Sequence, residues 1–328
     1  MQTRYNVGMS TLGTSLNQAT TGKIRPLNAI RDLLKVADLV ELCFHHNMDR
    51  EGQRYVQQMR TASKDRHFLS WASNSLPLRG YVWEDQKEIV GNISIIPFRK
   101  AKKNIFLLAN IAVHPDYRRK GIARLLTQKG MDHVRKRGSE AMWVQVEEDN
   151  LGAIKLYEEL GFQARALRTT WDAASQLQPK EALVKSNITT RVAHFWPQQY
   201  QLLKKAYAEE LSWYRMPDWE NFRPGIKYWL YRIFVENDVR QWAAQKDGSF
   251  QAGLIWIQTR TRRAPLWLAA APDVDTETLA ALLLHARFHL ASQNRELYID
   301  YPAGELNAAF EEAGFILRRT LLWMCADE

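Results

Sequence analysis

A seven-residue passage occurs twice in this chain. Leu156-Tyr157-Glu158-Glu159-Leu160-Gly161-Phe162 returns as Ala309-Phe310-Glu311-Glu312-Ala313-Gly314-Phe315, roughly 155 residues further on. In each copy a helical pattern stops at a glycine, the residue that best tolerates the left-handed backbone of a helix end, and an apolar strand follows. A period of that length is far beyond solenoid repeats and matches a whole domain. A chain of 328 residues also exceeds one ordinary core. Two copies of one domain are therefore expected.

Hydrophobic residues make up 46% and charged residues 25%, enough apolar material for two cores, so wholesale disorder is excluded. No apolar run approaches the ~18 residues that cross a bilayer. Residues 1–22 are polar, without periodicity or the apolar stretch of a secretory signal, and read as a disordered extension. A cytoplasmic location, with no membrane partner, is expected. The two cysteines, Cys43 and Cys325, stand far apart, which excludes a disulfide framework or thiolate zinc cluster and fits a reducing compartment. The net charge of +9 lies in one part: residues 1–175 hold 27 of the 45 Lys and Arg but 18 of the 36 Asp and Glu. Such a balance suits nucleic acid, a polyphosphate cofactor or an acidic substrate, and charge alone does not choose.

Periodicity predicts, for residues 23–175, the order β, α, α, β, β, β, α, β, α, β. Ile30, Leu33, Leu34, Ala37, Val40 and Leu42 mark the first helix. Glu84-Asp85-Gln86-Lys87 suits a hairpin turn, and Gly138 caps a long helix that opens at Gly121. Residues 176–187 are polar, contain Pro179 and read as a linker; 188–328 form the second copy.

The chemistry concentrates between Leu107 and Phe162. An apolar strand ends at Ile111-Ala112-Val113-His114-Pro115, and Arg118-Arg119-Lys120-Gly121-Ile122-Ala123 opens a helix. A strand that turns into a helix through a glycine leaves backbone N–H groups unpaired at the positive end of the helix dipole. Gly121 lets an anion approach the backbone, and Arg118, Arg119 and Lys120 add charge beside it. The sequence has neither the three glycines of the dinucleotide fingerprint nor the G-K-[ST] of a P-loop, and a diphosphate fits best. The plain alternative is an ordinary basic helix start. A second passage, from Asn150 through Leu156-Tyr157 to Gly161-Phe162, places Asn150 and Tyr157 seven residues apart, hence on one helix face.

Together these passages resemble the GNAT superfamily of acetyl-CoA-dependent N-acyltransferases, over about residues 23–172. Arg118, Gly121 and Ala123 meet its R/Q-x-x-G-x-G/A signature, and residues 150–162 meet its N-x-x-A-x-x-L-Y-x-x-x-G-F signature. The resemblance implies an α/β (α+β) fold class, two tandem domains that are each a mixed, mostly antiparallel sheet flanked by helices. It implies acetyl-CoA as co-substrate and no metal. Arg118, Arg119, Lys120, Gly121, Ile122 and Ala123 would then hold the diphosphate, Ile111 and Val113 the pantetheine arm, and Asn150 the cofactor. Tyr157 would donate a proton to the leaving thiolate, though a tyrosine on that face can equally be packing. The acceptor is a small-molecule or peptide amine, with nucleic acid not expected. Two rival readings are a non-catalytic acyl-CoA sensor or scaffold and a basic, ribosome- or RNA-associated binder.

One departure concerns the base. A branch of the family carries L-E-V in the fifth strand, where this chain has Val144-Gln145-Val146, and Gln145 takes no proton. Glu147 and Glu148 can recruit a water or can be solvated loop acids. The second copy departs further. Setting His114-Pro115 against Ala271-Pro272 places Asp275 at Arg118, Glu277 at Lys120, Thr278 at Gly121 and, in the closing motif, Phe310 at Tyr157. A degenerate copy that binds no acetyl-CoA is expected. Trp213, Tyr214 and Trp219 are candidates for an aromatic acceptor pocket. Arg99, Lys100, Lys102 and Lys103 read as a solvated hairpin tip, and Cys43, His45 and His46 lack further metal ligands.

Overall fold

The computed structural model describes residues 22–45, 48, 50–64, 79–100, 103–175, 187–226, 228, 238–259 and 261–327. But for residues 22 and 187, the expected extension at 1–22 and linker at 176–187 lie outside these. The described residues pack as two compact units, one within Met1–Ile95 and Ala109–His133, the other within Ile96–Leu108 and Val134–Glu328. This division differs from the sequence boundaries at 175 and 188, and the strand order of the second unit gives the reason.

In the first unit, β1 (Lys23–Pro26) pairs antiparallel with β2 (Gly80–Asp85). β2 in turn pairs antiparallel with β3 (Glu88–Lys100), whose near half belongs here with the far half of β4 (Lys103–Val113). The β2–β3 turn is Gln86-Lys87, both at positive φ (48° and 69°), the geometry that matches strand twist in a two-residue hairpin. Asn28 caps α1 (Ala29–Phe44), its side chain accepting from the Arg31 amide at 3.1 Å. Leu33, Val36, Ala37, Leu39 and Val40 of α1 pack with Val56, Met59 and Ala62 of α2 (Arg50–Lys64) and with Val82, Ile89 and Ala112 of the strands. Ile30, Leu34 and Leu42, expected on that face, are exposed. The buried stripe is the i, i+3, i+4, i+7 set from Leu33, and these three flank it. Buried Asp32 receives Arg25, Arg31 and the Asn28 amide, and the Arg25 hydrogen bonds hold its carboxyl below the usual range against the opposing effect of burial.

The second unit runs, in hydrogen-bonded order, β4, β5 (Ala141–Glu147), β12 (Phe315–Asp327), β6 (Gln163–Ala173), β11 (Glu296–Pro302), β10 (Arg263–Ala270), β9 (Ser249–Ile257), β8 (Val239–Lys246) and β7 (Asn187–Thr190). The last strand of the chain is thus seated between β5 and β6, antiparallel to both, from Leu321 opposite Glu147 to Asp327 opposite Ala141 on one side. β6 in turn pairs with β11. Each sequence copy completes its sheet with the closing strand of the other, so packing does not divide where the repeat does. β4 with β5 and β10 with β11 are the parallel pairs described, each needing a helical crossover: α3 (Ile122–Arg135) for the first and α6 (Thr276–Leu290) for the second. The remaining helices are α4 (Leu151–Glu159), α5 (Trp196–Ala206) and α7 (Asn307–Glu312). Trp171, Leu254, Trp256, Leu268, Leu282, Ile299 and Phe310 lie at the centre of the core. Among the described residues no helix is long and apolar enough to cross a membrane.

Candidate functional site

β4 ends at Val113, and a short turn, Pro115–Tyr117, leads to the basic loop. Arg119 takes φ +63° and Gly121 φ +79°, so the backbone reverses twice before α3 begins at Ile122. Ile122 is buried and anchors the helix start, Ala123 is half-buried, and Arg118, Arg119, Lys120 and Gly121 face solvent. The amides of Arg119, Lys120, Gly121, Ile122 and Ala123 have no acceptor among the described residues. No acid stands in the first turn of α3. A Cβ built on Gly121 meets nothing within 4 Å. The glycine therefore serves the positive φ and leaves open space before a row of bare donors, which fits a bulky anion. Arg118 Nε donates to the Val113 carbonyl at 3.2 Å, and Lys120 Nζ lies 4.9 Å over the Tyr117 ring.

Ile111 and Val113 lie on the far half of β4. The parallel ladder with β5 runs from Ile105 opposite Ala141 to Leu108 opposite Val144 and stops there, while β4 continues to Val113. Burial follows the ladder, since residues 105–108 are buried and 109–111 and 113 are half-exposed. Asn110 adopts φ +50° inside this stretch. Its Nδ2 donates to the Tyr55 hydroxyl at 2.9 Å and to Ser94 Oγ at 3.3 Å, while its carbonyl accepts from Asn92 Nδ2 at 2.9 Å. No motif in the sequence marks this polar cluster. Its available signal was Asn92 and Ser94, polar side chains alternating on one face of an otherwise apolar strand.

Asn150 and Tyr157 belong to the second unit, on α4. Asn150 Oδ1 accepts from the Ala153 amide at 3.2 Å and caps the helix; its Nδ2 has no bond among the described residues. Tyr157 is buried, with its ring edge-on to Phe162 at 5.9 Å, and burial pushes its hydroxyl well above the ordinary tyrosine range. It stays protonated at neutral pH and is suited to give a proton rather than take one. The structure thus collects Ile111, Val113 and residues 118–123 in one unit, and Asn150 with Tyr157 in the other. Gln145 lies opposite Trp323 of β12.

The second copy is closed at both matching places. Asp275 caps α6, accepting from the Thr278 amide at 2.8 Å and from Thr278 Oγ1 at 3.0 Å, and Lys246 reaches it at 3.0 Å. The helix start that would receive an anion already holds a carboxylate. The β10–β11 ladder runs only from Arg263 opposite Glu296 to Pro265 opposite Tyr298, a splay like that of β4 and β5. Beyond it Leu268, which the repeat places at Ile111, donates its amide to the Tyr207 hydroxyl at 3.0 Å. The Tyr207 ring packs against Trp219, Trp267 and Tyr301, with the Arg168 guanidinium 5.1 Å over it. Phe310, in the place of Tyr157, is fully buried against Trp171.

The expected aromatic acceptor pocket is not assembled as read. Trp213 and Tyr214 pack with Phe98 and Trp323, and Trp213 also meets Trp143, whereas Trp219 joins the Tyr207 cluster. Trp213 sits in a turn and Trp219 in a separate short helix, and each is buried by its own neighbours. Arg99, Lys100 and Lys103 are exposed, and Lys100 Nζ donates to the Ser212 carbonyl at 3.0 Å; Lys102 and His46 lie outside the described residues. Among the described residues no three His, Cys, Asp or Glu side chains gather as a metal site.

The model of the acetyltransferase (GNAT) family matches residues 40–162. The chain is 44% identical, over 64 residues, to the [ribosomal protein bS18]-alanine N-acetyltransferase of Escherichia coli, a match covering 20% of this chain and 43% of that protein. It is 38% identical over 64 residues to a mycothiol acetyltransferase of Geodermatophilus obscurus, covering 20% of this chain and 21% of that one. The chain thus spans less than half the length of these relatives. A GCN5-related N-acetyltransferase from Sphaerobacter thermophilus shares the fold across 93% of this chain and 95% of its own, with a TM-score of 0.58 at 14% identity. The matched segment contains the loop with the bare amides and the helix bearing Tyr157, and over that segment this chain is similar to the GNAT acetyltransferase family.

Proposed function

We propose that this chain is an N-acetyltransferase that moves an acetyl group from acetyl-CoA to a primary amine by direct attack in a ternary complex, using its first copy alone. The observation that carries this reading is the run of five amides, Arg119 to Ala123, left without acceptors among the described residues beside three cationic side chains. They would take the diphosphate, and the β4 edge at Ile111 and Val113 would pair with the pantetheine arm as an added strand. The amine nitrogen attacks the thioester carbonyl, a C–N bond forms, the C–S bond breaks, and the Tyr157 hydroxyl protonates the departing sulfur. The amine's proton would be lost to water recruited by Glu147 and Glu148, and water would return one proton to the Tyr157 oxygen to close the cycle.

Gln145 bears on the acceptor. A lysine-like amine, with a pKa near 10.4, needs a strong base, whereas an α-amine near 8 is partly neutral already. An α-amino acceptor, as the printed activity of the E. coli relative suggests, is therefore favoured over a lysine side chain. A second reading, an acyl-CoA binder without turnover, draws on the same Gln145. Thiol release from acetyl-CoA, followed with peptides bearing free N-termini, lysine peptides, polyamines and amino sugars, separates the two. Release that depends on one amine class supports transfer; binding without release supports the sensor. Absence of acetyl-CoA binding by calorimetry overturns both.

A further inference from the structure

The left-handed residue inside β4 is an unusual place for an asparagine without a purpose. In a regular strand successive amides point to opposite edges, and a residue at φ +50° breaks that alternation and re-aims the amides that follow it. Asparagine tolerates this conformation better than other non-glycine residues, yet tolerance does not fix it. Here three neighbours fix it. The Tyr55 hydroxyl on α2 and Ser94 Oγ on β3 accept from Asn110 Nδ2, and Asn92 Nδ2 holds the Asn110 carbonyl. Asn92 is fully buried; its Nδ2 also reaches Ser94 Oγ at 3.4 Å while its Oδ1 has no partner among the described residues, so its amide is oriented by Asn110 and Ser94 together. The stretch so held, residues 109–111, is the half-exposed part of β4 beyond the end of its ladder with β5.

We propose that Tyr55, Ser94 and Asn92 are positioning residues that lock Asn110 in its left-handed turn and so aim the β4 amides around Ile111 at the thioester carbonyl of the bound acetyl donor. This rests on the acetyl-CoA reading above and adds to it the device that sets the hydrogen bond to the reacting oxygen. It also ties that hydrogen bond to α2 through a single hydroxyl, so a displacement of the helix is transmitted to the carbonyl. The diphosphate loop shares none of these bonds, and donor affinity and carbonyl polarisation should separate.

The test uses the full chain and acetyl-CoA labelled with carbon-13 at the carbonyl, with isotope-edited infrared spectroscopy of the bound thioester and calorimetry alongside. In wild type the bound carbonyl stretch should be lowered from its value in water. Tyr55→Phe and Asn110→Gly, the latter retaining access to positive φ without the side-chain bonds, should return the stretch toward the free value. Acetyl-CoA affinity should stay within about twofold, and turnover with an amine acceptor should fall about 10- to 100-fold. An unchanged stretch in both variants overturns the proposal. So does a parallel loss of affinity in Tyr55→Phe, which would mark a general structural role. Wild type that binds no acetyl-CoA brings down the underlying reading and this proposal with it, a result distinct from binding with an unshifted wild-type stretch, which sinks the proposal alone.

Discussion

The hydroxyl of Tyr207 accepts a 3.0 Å hydrogen bond from the amide of Leu268. By the repeat, Leu268 is the counterpart of Ile111, so the second copy satisfies with a side chain a donor whose counterpart in the first copy lies on β4 beyond the end of its ladder with β5. With Asp275 capping the helix start as well, both anchor points for a cofactor are spent. Acetyl-CoA should therefore bind with a stoichiometry of one per chain. Reversing charge at Asp275 and Glu277 should leave its affinity unchanged, and two sites by calorimetry would contradict this.

Tyr207→Phe keeps the ring and removes the acceptor, leaving a buried backbone N–H unpaired. A loss of about 1 to 3 kcal/mol is expected, read as a lower midpoint in thermal or urea unfolding. Acetyl-CoA binding should be unaffected.

Gly121→Val places a branched side chain at φ +79°, a conformation that costs such a residue about 1 to 3 kcal/mol, though no atom lies in its way. The same side chain stands over the bare amides. Acetyl-CoA affinity should fall at least about tenfold, given that each 1.4 kcal/mol lost is a factor of ten. Wild-type affinity measured by calorimetry in a folded variant would remove the diphosphate from this loop.

Tyr157→Phe should lower turnover by about 10²-fold, the usual scale for a positioned general acid, with little effect on acetyl-CoA affinity. An equal rate under single-turnover conditions would leave Tyr157 as packing.

Three buried tyrosines give alkaline pH a clear direction. Burial raises Tyr157, Tyr207 and Tyr301, the last to about 12. For groups raised in the folded state, the stabilisation is complete below the unfolded tyrosine value near 10 and is lost as pH climbs through the folded values. The unfolding midpoint should drop steeply between about pH 10 and 12, and Tyr301→Phe should flatten that slope.

Much of this architecture is legible in the sequence because it is local. The order of strands and helices in the first copy, the hairpin at Gln86-Lys87 and the loop at Gly121 all follow from periodicity and turn chemistry within short windows. The seating of β12 between β5 and β6 is not local: nothing in the alternation of residues 315–327 distinguishes one set of edge partners from another. Nor does an asparagine in a strand announce a positive φ; the side chains that hydrogen-bond to it include Tyr55, fifty-five positions away. Ile30 and Leu34 carry the opposite lesson, as apolar residues next to a buried stripe that the fold leaves outside.

The seating of β12 also says what a late truncation does. Phe315–Asp327 lies between β5 and β6 and pairs with both, so without it each of those strands loses its partner on that side. A premature stop codon there would spare every residue assigned to the chemistry and still produce the phenotype of a null allele.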